Sequence, residues 1–231
     1  MTLGAGDGGD MYCVYYQDDD YTTESPTGTN EYIVVNKFNV SEPYARERVV
    51  LAKPNSSLGG ITFDNQSIRE PSLFVGDRVN VFFLAYAHGV PSYYTVALSR
   101  NLDVESINKC TLDGKNMITT LGNIIEVDGK YYAGLGAYSS GYHGKVIVSD
   151  DLVTWTTAFE LNTTITDGYC MEIALEYFKD KFHFVVRIQE DSTDTNNGIF
   201  HMRDPFCRGA SPYNKRGRAH KRRLAHNKSC S

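Results

Sequence analysis

The chain has 231 residues, a formal net charge of −5 and 41% hydrophobic residues, enough to bury a substantial core as one domain. Sixteen Tyr and eleven Phe against a single Trp favour pleated, half-buried surfaces, and no stretch long and apolar enough for a membrane-spanning helix is present. The five cysteines, Cys13, Cys110, Cys170, Cys207 and Cys230, stand singly, without the paired spacing of a zinc site or a dense disulfide framework, so neither a metal nor a cofactor is expected.

In chain order, the opening Met1-Thr2-Leu3-Gly4-Ala5-Gly6 lacks the basic and apolar regions of an export signal, which leaves localisation open, with an extracellular or virion-associated setting compatible. Met11 to Tyr16 reads as one strand and Tyr32 to Val35 as the next. A repeat then begins. Arg69 to Asp77, Val79 to Ala87 and Tyr94 to Leu102 align with Leu121 to Gly129, Lys130 to Leu135 and Lys145 to Trp155. A third copy runs through Glu172 to Asp180, Phe182 to Ile188 and Gly198 to Met202. The turn residues Asp77, Asp128 and Asp180 lie 51 and 52 positions apart, and Ser99 and Ser149 lie 50 apart.

Each unit reads as strand, tight Gly/Asp turn, strand, variable loop, strand and a short turn toward a fourth strand, and no 3.6-residue apolar period competes with it. This predicts an all-β chain of β-propeller type, because fixed-period four-stranded units are the blades of that architecture. The expected division is a partial blade over 1–60, blades over 61–112 and 113–165, a partial blade over 166–206 and a tail over 207–231. In the first unit Met11 to Tyr16 matches a second strand, so its innermost strand is expected before Met1. The segments amount to fewer blades than the roughly four to eight of a closed propeller, so the propeller is expected to be incomplete.

Charge separates the tail from the rest. Residues 203–231 carry nine basic and one acidic residue (net +8), while residues 1–202 carry 14 and 27 (net −13). Almost without apolar residues, the tail is expected to be disordered, and nucleic acid is expected as a partner only through it. A shifted reading frame in place of further blades is the alternative origin.

In a propeller the innermost strands line a central channel, so equivalent positions near their starts converge on one pocket. The period carries Glu70 to Leu121 and then to Glu172, which puts two carboxylates at one position in units two apart. Paired carboxylates suit glycoside hydrolysis, one protonating the leaving oxygen while the other activates water or attacks the sugar. The alternative is a structural role for such acids, with Arg69 as a neighbouring partner for Glu70. Tyr138 and His143, in the Gly134 to Gly144 loop, are candidates to stack on a sugar ring and to bond a hydroxyl. Trp155 reads as a packing residue between blades.

These motifs resemble those of the five-bladed propeller glycosidases, the arabinanase, β-xylosidase and invertase group. Arg69-Glu70-Pro71-Ser72 is similar to the Arg-Asp-Pro that opens a blade in that group. Ser149-Asp150-Asp151-Leu152-Val153-Thr154-Trp155 matches its Ser-x-Asp-Leu-x-x-Trp in full, and Ser99-Arg100-Asn101-Leu102 is a degenerate copy. The resemblance covers roughly residues 11–202 and implies a five-bladed fold, a carbohydrate partner, Glu172 as general acid and Glu70 as auxiliary carboxylate, with Arg69 beside them. Position 70 departs from the group by one methylene, and the group's base or nucleophile Asp belongs to the first innermost strand. Sialidase-like propellers are the second resemblance, through Ser149 to Trp155. Two other readings stay open: a non-catalytic carbohydrate-binding or adhesive propeller of a phage tail or surface protein, and a truncated product.

Overall fold

The computed structural model describes residues 2–17, 31–66, 68–119, 121–136, 144–160, 169–189 and 197–203. The described residues contain no α-helix; one short 3₁₀ turn, Asp7–Gly9, is the only helical element among them. Sheet I is antiparallel in chain order: β1 (Thr2–Ala5), β2 (Asp10–Gln17), β3 (Tyr32–Asn39) and β4 (Glu42–Ala52). A small hairpin, β5 (Ser57–Leu58) with β6 (Ile61–Thr62), leads to sheet II: β7 (Arg69–Val75), β8 (Val79–Ala87), β9 (Val90–Leu98) and β10 (Val104–Lys109).

The hairpin β11 (Thr111–Leu112) and β12 (Lys115–Asn116) joins the outer edge of sheet III, where β11 runs parallel to β16. Sheet III itself is β13 (Leu121–Val127), β14 (Lys130–Leu135), β15 (Lys145–Ser149) and β16 (Thr154–Glu160). Sheet IV holds β17 (Tyr169–Phe178), β18 (Lys181–Gln189) and β19 (Asn197–Arg203). This is the β-propeller architecture expected from the repeat.

One expectation is corrected. The innermost strand of the first unit is inside the chain, as β1, paired with β2 from Thr2↔Val14 to Ala5↔Met11. The sequence hid it because Thr-Leu-Gly-Ala is short and carries a glycine. In the structure that glycine suits a close approach, since a Cβ on Gly4 would lie 2.5 Å from Val75 Cγ2 of β7.

The hairpins follow from their turns. Asp128-Gly129 joins Val127 to Lys130 with φ of 52° and 74°, the left-handed pair that a two-residue loop needs to match strand twist. His88-Gly89 and Asp113-Gly114 repeat it, and Lys179-Asp180 does so without a glycine.

Packing follows the period of two. On β8, Val81 and Phe83 face sheet I with Tyr12, Val14, Ile33 and Val35, while Phe82 between them faces sheet III. On β15, Ile147 packs toward sheet II and Val146 toward Ile173, Leu175 and Phe184 of sheet IV. Trp155 is fully buried and meets Phe82 edge-on at 6.4 Å, the packing role expected for it. Its indole N–H has no hydrogen-bond partner among the described residues, and its contribution there is contact rather than polar.

The Ser149 to Trp155 motif is a turn tied by its own side chains. Ser149 Oγ accepts from Leu152 N at 2.9 Å, and Asp151 Oδ1 accepts from Val153 N and Thr154 N at 2.8 and 2.7 Å. Leu152 takes a left-handed φ of 64°, and Leu102 does the same in the degenerate copy, where Ser99 Oγ accepts from Asp103 N at 3.1 Å. Burial pushes the Asp151 carboxyl up, but the Thr154 and Val153 N–H groups and the Ser149 hydroxyl outweigh it and hold the group below its ordinary value.

Two outcomes are expected. Trp155→Ala destabilises the fold by about 3–5 kcal/mol in denaturant titrations and Trp155→Phe by clearly less. Because the Asp151 carboxyl is depressed in the folded state, its contribution is present above its unfolded pKa and lost as pH falls through the folded one; the melting-temperature gap between wild type and Asp151→Asn therefore narrows below about pH 4.

Candidate functional site

The innermost strands run side by side in the order β1, β7, β13, β17, and polar side chains join each to the next. Thr2 Oγ1 donates to Pro71 O at 3.4 Å, and Ser72 Oγ donates to Gly122 O at 2.9 Å. Asn123, one period after Ser72, donates through Nδ2 to Leu175 O and accepts at Oδ1 from Leu175 N, both at 2.7 Å, so its amide stands in for a strand partner. β17 lies so close to β13 that a Cβ on Gly122 would sit 2.0 Å from Ile173 O.

The starts of three inner strands are irregular. The register shifts between Arg69 and Ser72 on β7, between Leu121 and Ile124 on β13, and between Cys170 and Glu172 on β17. Bulges of this kind re-aim side chains at the rims of sheets. Glu70 lies within the first and is half-buried; Glu172 closes the last and is exposed. Leu121, at the same phase on the intervening strand, is buried.

Beside Glu70, Arg69 Nε lies 3.5 Å from Glu31 Oε2. The Glu31 side chain is only 12% exposed against 55% for Arg69, so the cation sits as an outer cover over a buried anion. Glu31, just ahead of β3, is the acidic residue that sequence reasoning missed. It stands among several acids between two strands, and only the docking of sheet I on sheet II distinguishes it. The backbone of Ile68 also donates to Glu31 O at 3.3 Å, tying the two segments together.

Asp7 and Asp10 lie at the other end of the inner strands, beside the β1–β2 turn. Asp7 faces Arg100 at 3.6 Å, and Asp10 pairs with Lys37 at 3.3 Å and with the Asn39 amide at 3.1 Å. Counted from the turn, the place of Glu70 in β7 has no counterpart among the described residues of β1, and Thr2–Ala5 contains no carboxylate. Tyr138 and His143 lie outside the described residues, as does the tail over 207–231. Among the described residues no cluster of three or more His, Cys, Asp or Glu is spaced to hold a metal ion.

No family model matches this chain, and no curated protein matches it. Solved structures do. A Hadza microbial sialidase aligns at a TM-score of 0.64 with 10% identity, over 87% of this chain and 43% of its own. A glycosyl hydrolase from Bacteroides ovatus aligns at 0.55 with 16% identity, over 84% and 62%. A β-xylosidase/α-arabinofuranosidase from a compost microbial metagenome, solved in complex with xylotriose, aligns at 0.52 with 12% identity, over 86% and 68%.

The fold is that of the β-propeller glycosidases. Both resembled groups, sialidase and β-xylosidase, thus share this propeller's architecture, and at such identities the likeness is one of fold. This chain spans 43% and 62% of the length of the first two structures.

The close contact of β13 and β17 is open to test. Gly122→Ala forces a methyl against the Ile173 carbonyl and is expected to destabilise the propeller by about 1–3 kcal/mol in chemical denaturation, with the loss concentrated in hydrogen-exchange protection of sheet IV.

Proposed function

We propose that this propeller acts on carbohydrate as a glycoside hydrolase, with Glu172 as general acid and Glu70 as the auxiliary carboxylate that orients and tunes it. The observation that carries the reading is the shared place of the two carboxylates: each stands at the irregular start of an inner strand, in sheets II and IV, with β13 between them. A carboxyl group on either side of one channel mouth is the arrangement that glycosidic cleavage uses. Arg69, held over Glu31, supplies a fixed donor for sugar hydroxyls, and Tyr138 and His143 complete the proposed binding set.

A second reading, a carbohydrate-binding propeller without turnover, is favoured by one observation. Position 70 carries glutamate where the resembled group carries aspartate, which moves the carboxyl outward by one methylene, and catalytic geometry tolerates little displacement.

A panel of aryl and oligomeric xylosides, arabinosides and sialosides separates the two. Turnover of one of them, lowered by about 100-fold or more in Glu172→Gln with the circular dichroism spectrum unchanged, is expected of the enzyme. Saturable binding without turnover identifies the binding module, and full activity of Glu172→Gln removes Glu172 from the proposal.

A further inference from the structure

Glu70 has a backbone conformation found nowhere else in the described strands. Its φ is +55°, and every other non-glycine residue with a positive φ among the described residues falls outside the strands, in a turn, bend or connecting loop. A side chain there is disfavoured, because the Cβ crowds its own backbone, and glutamate lacks the short polar side chain that eases the conformation for Asn and Asp. Such a residue persists only where its surroundings hold it.

Those surroundings are on the neighbouring strands. Tyr93 of β9 is fully buried, and its hydroxyl donates to Glu70 O at 2.6 Å. The same hydroxyl oxygen accepts from Leu121 N of β13 at 3.3 Å. One phenol therefore fixes the peptide that follows Glu70 and ties it to the equivalent residue of the next inner strand. The ring is anchored in turn through its own backbone: Tyr93 N donates to Met117 O, and Cys110 N donates to Tyr93 O, each at 2.8 Å.

We propose that Tyr93 is a positioning residue, which holds Glu70 in its left-handed conformation and so sets the place of its carboxylate in the channel mouth. The sugar-site part of this inference rests on the function proposed above; the conformational part does not. A strand residue in the left-handed region breaks the alternation of side chains along β7, which is the means by which a bulge re-aims a group at a site. The bond from Tyr93 reaches the backbone of Glu70, so it restrains the carboxylate without occupying any of its oxygens.

The test is a double-mutant cycle of Tyr93→Phe and Glu70→Gly, read by denaturant unfolding and by calorimetric titration with xylotriose and 3′-sialyllactose. Phenylalanine keeps the ring and removes both hydrogen bonds. Glycine removes the strain. Tyr93→Phe is expected to lower the folding constant roughly fivefold to tenfold in the Glu70→Gly background and by less in the wild-type background, where release of the strained residue returns part of the loss. Equal losses in the two backgrounds overturn the proposal. Where either sugar binds the wild type, Tyr93→Phe at full folded population is expected to weaken it about as much as Glu70→Gln; unchanged affinity overturns the positioning role.

If neither sugar binds the wild type, the carbohydrate reading fails for both probes and the stability cycle alone decides whether Tyr93 holds Glu70. If Tyr93→Phe does not fold, the single variant Glu70→Gly decides: a raised unfolding midpoint supports a strained conformation held from outside, and a lowered one overturns it.

Discussion

An interior strand whose side chains are apolar on both faces has to be covered twice, and in this chain that requirement governs the arrangement of everything else. Phe82 packs on one side of β8 while Val81 and Phe83 pack on the other; Ile147 and Val146 divide sheet III in the same way. A sheet of this kind cannot present one face to water, as an ordinary antiparallel sheet does. Stacking neighbours face to face around an axis satisfies it, and the buried area per sheet is then shared by two interfaces. Trp155 shows how little tolerance this leaves, since a single ring fills the gap between β16 and Phe82.

The same stacking brings the inner strands into register. Once the sheets pack, β1, β7, β13 and β17 approach closely enough for Ser72 and Asn123 to bond the next strand directly, and Gly122 is small because the Ile173 carbonyl takes the space of its side chain. The proposed site takes its geometry from this contact. Glu70, Leu121 and Glu172 share a phase, and the bulges at the strand starts set two carboxylates apart across a buried leucine. A rigid floor with irregular rims is a suitable scaffold for chemistry, because the floor absorbs the strain that the rim stores.

Much of this was legible in the residues. The spacing of Asp77, Asp128 and Asp180 marks turns, and a turn of fixed hand at a fixed interval leaves little freedom in the strands between. The Ser149 motif was equally readable, since its bonds are all local, from Ser149 and Asp151 to groups two or three residues on. β1 was not readable, because four residues including a glycine give no alternation to detect, and it becomes a strand only by pairing with β2 and lying on β7. Glu31 and Tyr93 were missed for a related reason. Each acts on a residue tens of positions away, Arg69 or Glu70, and nothing in its immediate neighbours distinguishes it from other acids or tyrosines of the chain.

By itself, then, the sequence determined the period, the hairpins and the common phase of Glu70 and Glu172, all of which arise from interactions within a few residues or from counting along a repeat. Tertiary structure decided which strand became innermost in sheet I, that Arg69 covers Glu31, and that the peptide of Glu70 is held in the left-handed region by a phenol from another strand. These depend on the distance between sheets, which side-chain packing sets to within a few tenths of an ångström and which no local pattern of residues encodes.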